Sequence, residues 1–114
     1  MVVRRGEIWW ASLAEPVGSG LGLRHPVLIV QSNDFNDSAI RTTICAVVTS
    51  NMRLAEAPGN IRLSRKASGL TRESVVNVSQ LITLDKRLLT ARVGRSSPEI
   101  LRNVDAGIRL VLSL

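Results

Sequence analysis

Most of the chain alternates apolar and polar residues or carries short apolar runs bounded by turn residues, which is typical of β-strands. This pattern predicts strands at 7–13, 26–31, 42–49, 61–63, 74–84 and 88–93. Glycine-rich residues 15–22 and residues 50–60 predict loops, and 33–38 and 85–87 predict turns or a single helical turn. Trp9 and Trp10 are adjacent in the first strand, so we expect one in the core and one facing outward.

The pattern changes after residue 95. Ser96, Ser97, Pro98 and Glu99 combine the serine caps, early proline and early acid that mark the start of a helix. Apolar residues then recur at helical spacing, at Leu101, Val104, Ile108, Val111 and Leu112. The predicted fold class is mostly β: a single domain, 1–114, built as a strongly bent sheet or small SH3-like barrel with a C-terminal α-helix across it.

Cysteine usage and hydropathy restrict the setting. The single cysteine, Cys45, excludes an internal disulfide, and its apolar surroundings at 43–48 predict a buried side chain. The N-terminus lacks the apolar segment of a signal peptide, and no apolar run is long enough to span a bilayer. We therefore expect a cytoplasmic protein with no membrane partner.

The charge balance points to a polyanionic partner. Fifteen basic residues against nine acidic ones give a net charge of +6, and all but Lys66 and Lys86 of the basic residues are arginine. Arginine binds phosphate in a bidentate way and stacks on bases, so nucleic acid is the first partner class to consider. The alternative is a solvated surface that simply prefers arginine.

Candidate chemistry concentrates where the glycine-rich loop meets the second strand. Arg24 and His25 stand directly before Pro26, which restricts the backbone of His25, the only histidine of the chain. Thr49 and Ser50 supply hydroxyls at the end of the third strand. Metal-ligand spacings, a phosphate-binding loop motif and a dinucleotide fingerprint are all missing, so an enzyme with this sequence is expected to need no metal or cofactor.

This inventory suits RNA transesterification, in which the 2′-hydroxyl of the substrate is the nucleophile. The protein then needs only to move protons and stabilise charge on the phosphoryl oxygens. The same inventory suits an RNA-binding surface without catalysis, so the residue types alone leave both functions open.

A set of short motifs in colinear order resembles the MazF/PemK toxin family over essentially the whole chain. The motifs are Arg5-Gly6-Glu7-Ile8-Trp9-Trp10 with Leu13, Gly18-Ser19, Pro26-Val27-Leu28-Ile29-Val30-Gln31, Thr49, Gly69-Leu70, Ser74-Val75-Val76, Gln80 with Ile82-Thr83, Asp85-Lys86 and the final helix. The resemblance implies the CcdB-PemK-like barrel and a homodimeric, metal-independent endoribonuclease that cuts single-stranded RNA. It also implies a cognate antitoxin whose acidic, flexible tail covers the RNA groove.

The resemblance implies a proton-transferring arginine directly before the proline of strand two and a threonine at the end of strand three. Thr49 matches the threonine, but His25 stands where the arginine is expected and Arg24 lies one residue earlier. Arg24, His25 and Thr49 are therefore the candidate catalytic residues. Neighbouring side chains of a strand point to opposite faces, so only one of Arg24 and His25 is expected to take the proton-transfer role.

Contacts with RNA are expected from Arg5, Ser19, Ser50, Asn51, Arg53 and Gln80. Two alternatives differ in class from a ribonuclease. One is a gyrase-binding toxin of the CcdB type, although this chain lacks the aromatic residue near the C-terminus on which that action depends. The other is an inactive RNA-binding paralogue, which the replacement of arginine by His25 keeps open.

Overall fold

The computed structural model describes residues 1–13 and 24–114, and its six strands form one antiparallel sheet. The strands are β1 (Glu7–Ser12), β2 (Arg24–Ile29), β3 (Thr42–Thr49), β4 (Ile61–Leu63), β5 (Ser74–Asp85) and β6 (Leu89–Arg95). They lie in the order β4-β5-β3-β2-β1-β6, and the sheet curls into a half-barrel. The predicted mostly-β fold with a C-terminal helix is confirmed.

The helices are α1 (Asn33–Asn36), α2 (Arg65–Ser68) and α3 (Pro98–Leu112), and short 3₁₀-helices cover Met52–Glu56 and Lys86–Leu88. The start of α3 is as predicted from the sequence, because Ser97 Oγ accepts a hydrogen bond from the backbone N–H of Ile100 at 3.2 Å. Of the three helices, α3 alone is long enough to cover the sheet.

The second strand differs from the prediction, since it begins and ends two residues earlier than 26–31. Arg24 and His25 extend it because they pair with Ser12 and Ala11 of β1. At the other end, the backbone N–H groups of Val30 and Gln31 both donate to the carbonyl of Ile44, at 3.0 and 3.1 Å. Two donors on one acceptor break the ladder, so the strand ends there.

The sequence prediction missed α2. Ser64 caps this helix, with Oγ accepting from the backbone N–H of Ala67 at 3.1 Å, and Gly69 ends it with a φ of +79°. The cap and the terminal glycine were readable, but a four-residue helix is too short to show apolar periodicity. Residues 50–60, predicted as a loop, hold the 3₁₀-helix Met52–Glu56.

The sheet buries side chains on both faces. On the helix face, α3 contributes Val104 to a cluster that includes Ile8, Leu28, Ala46, Val48 and Val76. On the opposite face, called the far face here, Trp9, Ala11, Val27, Ile29, Cys45, Leu84 and Leu89 form a second cluster. Cys45 is therefore buried as predicted, and of the two tryptophans Trp9 is the one in the core, whereas Trp10 is half-buried on the helix face.

Two glycines let α3 approach the chain before β4. A Cβ atom on Gly107 would lie 2.2 Å from the carbonyl oxygen of Gly59, which has a φ of +83°. Such a distance is far inside van der Waals contact, so both positions need glycine. This close contact fixes α3 on the helix face and leaves the far face for other groups.

Candidate active site at the β2–β3 edge

The start of β2 and the end of β3 lie at the same edge of the sheet, because these neighbouring strands run antiparallel. The last paired residues toward this edge are Val27 and Val47. Continuing their register by two residues brings His25 opposite Thr49, with both side chains on the far face. Residues opposite each other in an antiparallel pair have Cβ atoms about 4.5–5.5 Å apart. Two of the three candidate catalytic residues are thus neighbours.

Thr49 is held by the turn that follows it. Its Oγ1 accepts a hydrogen bond from the backbone N–H of Asn51 at 3.1 Å. Asn51 Oδ1 in turn accepts from the backbone N–H of Arg53 at 3.2 Å and caps the 3₁₀-helix. The Asn51 bond uses a lone pair of Oγ1 and leaves the hydroxyl proton available for donation. The half-buried Thr49 side chain is therefore a positioned hydrogen-bond donor.

His25 is half-buried on β2, opposite Ala11 of β1. Its Nδ1 lies 3.1 Å from the carbonyl oxygen of Pro26. The proline fixes its own φ, and the residue before a proline is confined to extended conformations. The backbone that carries the histidine ring therefore has little conformational freedom. In the continued register it lies opposite Thr49.

Arg24 takes the other face of the same strand. Its guanidinium carbon lies 4.5 Å from the centroid of the Trp10 ring, in cation–π geometry. Trp10 packs against the helix-face cluster, so Arg24 and Thr49 are on opposite sides of the sheet. Of the two candidates for proton transfer, the structure brings His25, and not Arg24, to the face that carries Thr49.

A bulge in β5 adds amide side chains to the far face. Asn77 lies opposite Val47, about 7 Å along the sheet from the Thr49 position, and its Nδ2 donates to Gln80 Oε1 at 2.7 Å. Asn77 Oδ1 accepts from Asn60 Nδ2 at 3.2 Å. Gln80, which was predicted to contact RNA, is thereby hydrogen-bonded to a residue beside the site.

Asn77 and Asn60 were missed in the sequence analysis. The available signal was an asparagine inside the apolar run 75–78, because a buried amide in a strand requires hydrogen-bond partners. Which partners it would find depends on the bulge, and that is a property of the folded sheet.

The remaining predicted RNA contacts separate into three groups. Ser50 and Arg53 are exposed in and after the turn that carries Thr49 and Asn51. Ser19 lies outside the described residues. Arg5 lies elsewhere: its Nε donates to the carbonyl of Val30 at 2.9 Å. Val30 is five strand residues from His25, a distance of about 16 Å.

At that distant end Arg5 is bound on several sides. Its guanidinium forms an ion pair with Asp105 of α3, and its backbone N–H donates to Asn33 Oδ1 at 2.7 Å. The side chain is 27% exposed. The structure therefore does not bring Arg5 together with the Thr49 site and gives it a role in joining β2, α1 and α3.

An apolar groove of about 510 Å³ lies beside Arg5 and Asp105, between the C-terminal half of α3 and the sheet. Its apolar lining is Val30, Phe35, Ile44, Leu81, Ile108 and Leu112. Phe35 is 59% exposed and Leu112 52% exposed, so this surface presents large apolar side chains to solvent. It is separate from the edge that carries His25 and Thr49.

Burial excludes Cys45 from nucleophilic chemistry, because desolvation raises the pKa of its thiol to about 12. Within residues 1–13 and 24–114, no three histidine, cysteine or acidic side chains are grouped so that they could hold a metal ion. In the same part of the chain, no helix has both the length and the apolar character needed to cross a membrane.

Comparison with known proteins gives matches over the whole chain. The family model of the PemK-like, MazF-like toxin of type II toxin–antitoxin systems matches residues 4–112. The chain is 47% identical over 114 residues to endoribonuclease MazF6 of Mycobacterium tuberculosis, with all of both chains covered. It is 33% identical over 114 residues to endoribonuclease EndoA of Bacillus subtilis, covering 100% of this chain and 97% of that protein.

Solved structures share the fold at lower sequence identity. A mycobacterial endoribonuclease in complex with its cognate antitoxin superposes with a TM-score of 0.80 at 21% identity, covering 98% of this chain and 96% of that one. MazF from Deinococcus radiodurans superposes with a TM-score of 0.79 at 20% identity, covering 100% of this chain and 99% of that one. The predicted curled sheet with a C-terminal helix is thus an architecture that solved structures share.

Proposed function

Because the chain belongs to the PemK-like, MazF-like toxin family of type II toxin–antitoxin systems, we propose that it is an endoribonuclease toxin that cuts single-stranded RNA. The observation that carries the proposal is the β2–β3 register, which when continued from Val27 and Val47 places His25 opposite Thr49, in a chain 47% identical to a named endoribonuclease. An imidazole can accept the proton of the 2′-hydroxyl, and a positioned hydroxyl can stabilise charge on a phosphoryl oxygen.

In the proposed reaction the 2′-oxygen attacks the adjacent phosphorus and the bond from phosphorus to the 5′-oxygen breaks. His25 takes the proton of the 2′-hydroxyl. The Thr49 hydroxyl donates to a phosphoryl oxygen, where negative charge develops. The products are a 2′,3′-cyclic phosphate and a 5′-hydroxyl, and the chemistry uses no metal.

Ser50, Asn51, Arg53 and Gln80 are the proposed contacts to the RNA on either side of the cut. Ser50 and Arg53 are exposed next to Thr49, and Asn51 and Gln80 carry amides that can bind base edges. Single strands are preferred because unpaired bases can turn toward such side chains. Arg53 adds a phosphate contact, which makes binding dependent on salt.

The proposed partners are a cognate antitoxin and a second copy of the chain, in the cytoplasm. The antitoxin is acidic and flexible, and it competes with RNA for the cationic surface around the site. Apolar residues exposed on and near α3, such as Phe35, Leu110 and Leu114, support a homodimer because association hides such surface. Light scattering at tens of micromolar is expected to give twice the mass of one chain.

The decisive experiment incubates the chain with a mixed RNA substrate in EDTA and maps the new ends. We expect cuts at a short sequence motif, with 2′,3′-cyclic phosphate and 5′-hydroxyl termini, and cleavage slowed by a factor of about 10² in a Thr49→Ala protein purified in parallel. RNA binding without cleavage would instead indicate an inactive RNA-binding paralogue. Gyrase inhibition with neither binding nor cleavage would indicate a toxin of the CcdB type.

A further inference from the structure

The contact between His25 and Pro26 determines which ring nitrogen carries the proton. Nδ1 lies 3.1 Å from the Pro26 carbonyl oxygen, and a carbonyl oxygen only accepts hydrogen bonds. A neutral imidazole has one N–H, and the hydrogen bond made by one nitrogen sets the state of the other. In the neutral ring the proton is therefore on Nδ1, and Nε2 keeps its lone pair.

We propose that Nε2 of His25 is the atom that accepts the proton of the RNA 2′-hydroxyl, and that the Pro26 carbonyl is the group that positions it. This inference rests on the proposed ribonuclease function and extends it to a single atom. The positioning group is one residue from the base, and both residues have restricted backbones. The orientation of the ring is therefore built into the chain at the start of β2.

The Pro26 carbonyl also suits the protonated ring that the reaction creates. When Nε2 takes the 2′-hydroxyl proton, the new bond joins the 2′-oxygen to phosphorus, and the 5′-oxygen leaves and takes a proton from water. The imidazolium keeps its Nδ1–H on the Pro26 carbonyl, now as a charge-assisted hydrogen bond, which is stronger than the neutral one. The same contact thus orients the base and stabilises its conjugate acid.

Thr49 and Arg24 lie on opposite faces of the sheet, and both positions agree with this assignment. Thr49 supplies a donor on the far face, where the register places it opposite His25, so the two residues offer one donor and one acceptor to the reacting group. Arg24 lies on the opposite face of β2, away from Thr49. Its guanidinium is stacked on Trp10 on the helix face.

The first test measures the tautomer and needs no RNA. His25 is the only histidine, so ¹⁵N correlation spectra of the full chain labelled at its ring give a single set of signals. At a pH where the ring is neutral, we expect a protonated Nδ1 and an unprotonated Nε2. A spectrum of the opposite tautomer would overturn the inference even if the protein cuts RNA.

The second test places one methyl group on either nitrogen, by replacing His25 with Nε2-methylhistidine or with Nδ1-methylhistidine. Methylation of Nε2 blocks the base and keeps the Pro26 hydrogen bond, so cleavage should fall by roughly 10² or more. Methylation of Nδ1 removes the hydrogen bond and keeps the base, so the loss should be about tenfold. RNA binding, measured by gel shift, should change little in either protein.

These outcomes separate the inference from the function on which it rests. An equal loss of cleavage in the two methylated proteins, or a larger loss with Nδ1-methylhistidine, would overturn the role of Nε2 while leaving the ribonuclease intact. A wild-type protein that shows the expected tautomer but cuts no RNA would overturn the ribonuclease, and with it the assignment of a base.

Discussion

Polar side chains lie near both ends of β2, but their hydrogen-bonding groups are used differently at the two ends. At the first end, His25 uses Nδ1 for the Pro26 carbonyl and keeps Nε2 for a ligand. Thr49 accepts from the Asn51 backbone N–H and keeps its hydroxyl proton for a ligand. At the other end, Arg5 binds the Val30 carbonyl and pairs with Asp105 of α3. The first arrangement holds hydrogen-bonding groups in place for a ligand. In the second, the hydrogen-bonding groups are already occupied by contacts within the protein.

Glu7 lies at the second end of β2, where polar groups are occupied by contacts within the protein. It accepts hydrogen bonds from the Arg4 backbone N–H at 2.8 Å, the Trp9 indole at 3.1 Å and the Arg92 guanidinium at 3.0 Å. Burial raises the pKa of this carboxyl, but the three hydrogen bonds outweigh burial and leave it below its usual value. The comparison teaches that a matched motif position identifies a functional residue only when its hydrogen bonds leave capacity for a ligand.

The largest expected effect concerns the two candidates for proton transfer. His25→Ala should lower cleavage by roughly 10²–10⁴, because it removes the general base. Arg24→Ala is the matched control, since it removes a charge one residue away on the helix face, and most of the activity should remain. Initial rates on one RNA, measured below saturation at pH 7, give both values. The reverse pattern would assign proton transfer to Arg24 and break the comparison between the two ends.

The next effect concerns the hydroxyl across from His25. Thr49→Ala should lower cleavage by a factor of about 10², as loss of a preorganised donor to developing charge does. Thr49→Ser keeps the hydroxyl and should retain most of the activity. Circular dichroism and thermal unfolding should show that both variants keep the fold, because Thr49 is the last residue of β3. Cleavage by Thr49→Ala at the wild-type rate would exclude the threonine from the chemistry.

Much of the fold could be predicted because its strands are marked by composition and periodicity. The bounds of β3 and β4 and the capped start of α3 agree with the sequence prediction. The shifted ends of β2 depend on which carbonyl accepts from Val30 and Gln31, and that is a tertiary contact. The bulge that places Asn77 opposite Val47 is equally invisible in a linear pattern.

The site could be predicted in part for the same reason. The alternation rule implied that Arg24 and His25 take opposite faces, and the register between β2 and β3 was needed to determine which of them shares a face with Thr49. Arg5 was predicted to contact RNA, but its ion pair joins residue 5 to Asp105. No local pattern reports a contact across that separation.

A smaller effect should come from Glu7 and appear as a pH dependence. Since the pKa of Glu7 is lowered by folding, its ionisation stabilises the fold fully above the unfolded value of about 4.3 and loses this contribution as the pH falls through the folded pKa. Glu7→Gln should therefore lower the free energy of unfolding at pH 7 and narrow its difference from wild type below pH 4. Urea unfolding at pH 7, 5, 4 and 3 measures this.

An exposed carboxylate provides the control for the acid titration. Asp34 lies on the surface of α1, so Asp34→Asn should change the unfolding free energy little across the same pH range. A Glu7→Gln protein whose stability parallels that of wild type at every pH would show that the hydrogen-bonded carboxylate contributes nothing specific at this end of the sheet.

The smallest expected effect compares one arginine from each end in RNA binding. Arg53 is exposed beside the Thr49 turn, so Arg53→Gln should remove one phosphate contact and reduce the slope of log K against log salt by about 0.7. Arg5 is bound to Val30 and Asp105, so Arg5→Gln should leave the slope unchanged and lower the free energy of unfolding by about 1–3 kcal/mol. Titrations of single-stranded RNA in a Thr49→Ala background, which slows cleavage, give the slopes. A reduced slope for Arg5→Gln with no loss of stability would mean that RNA draws Arg5 away from Asp105, and the distinction between the two ends would then hold only for the free protein.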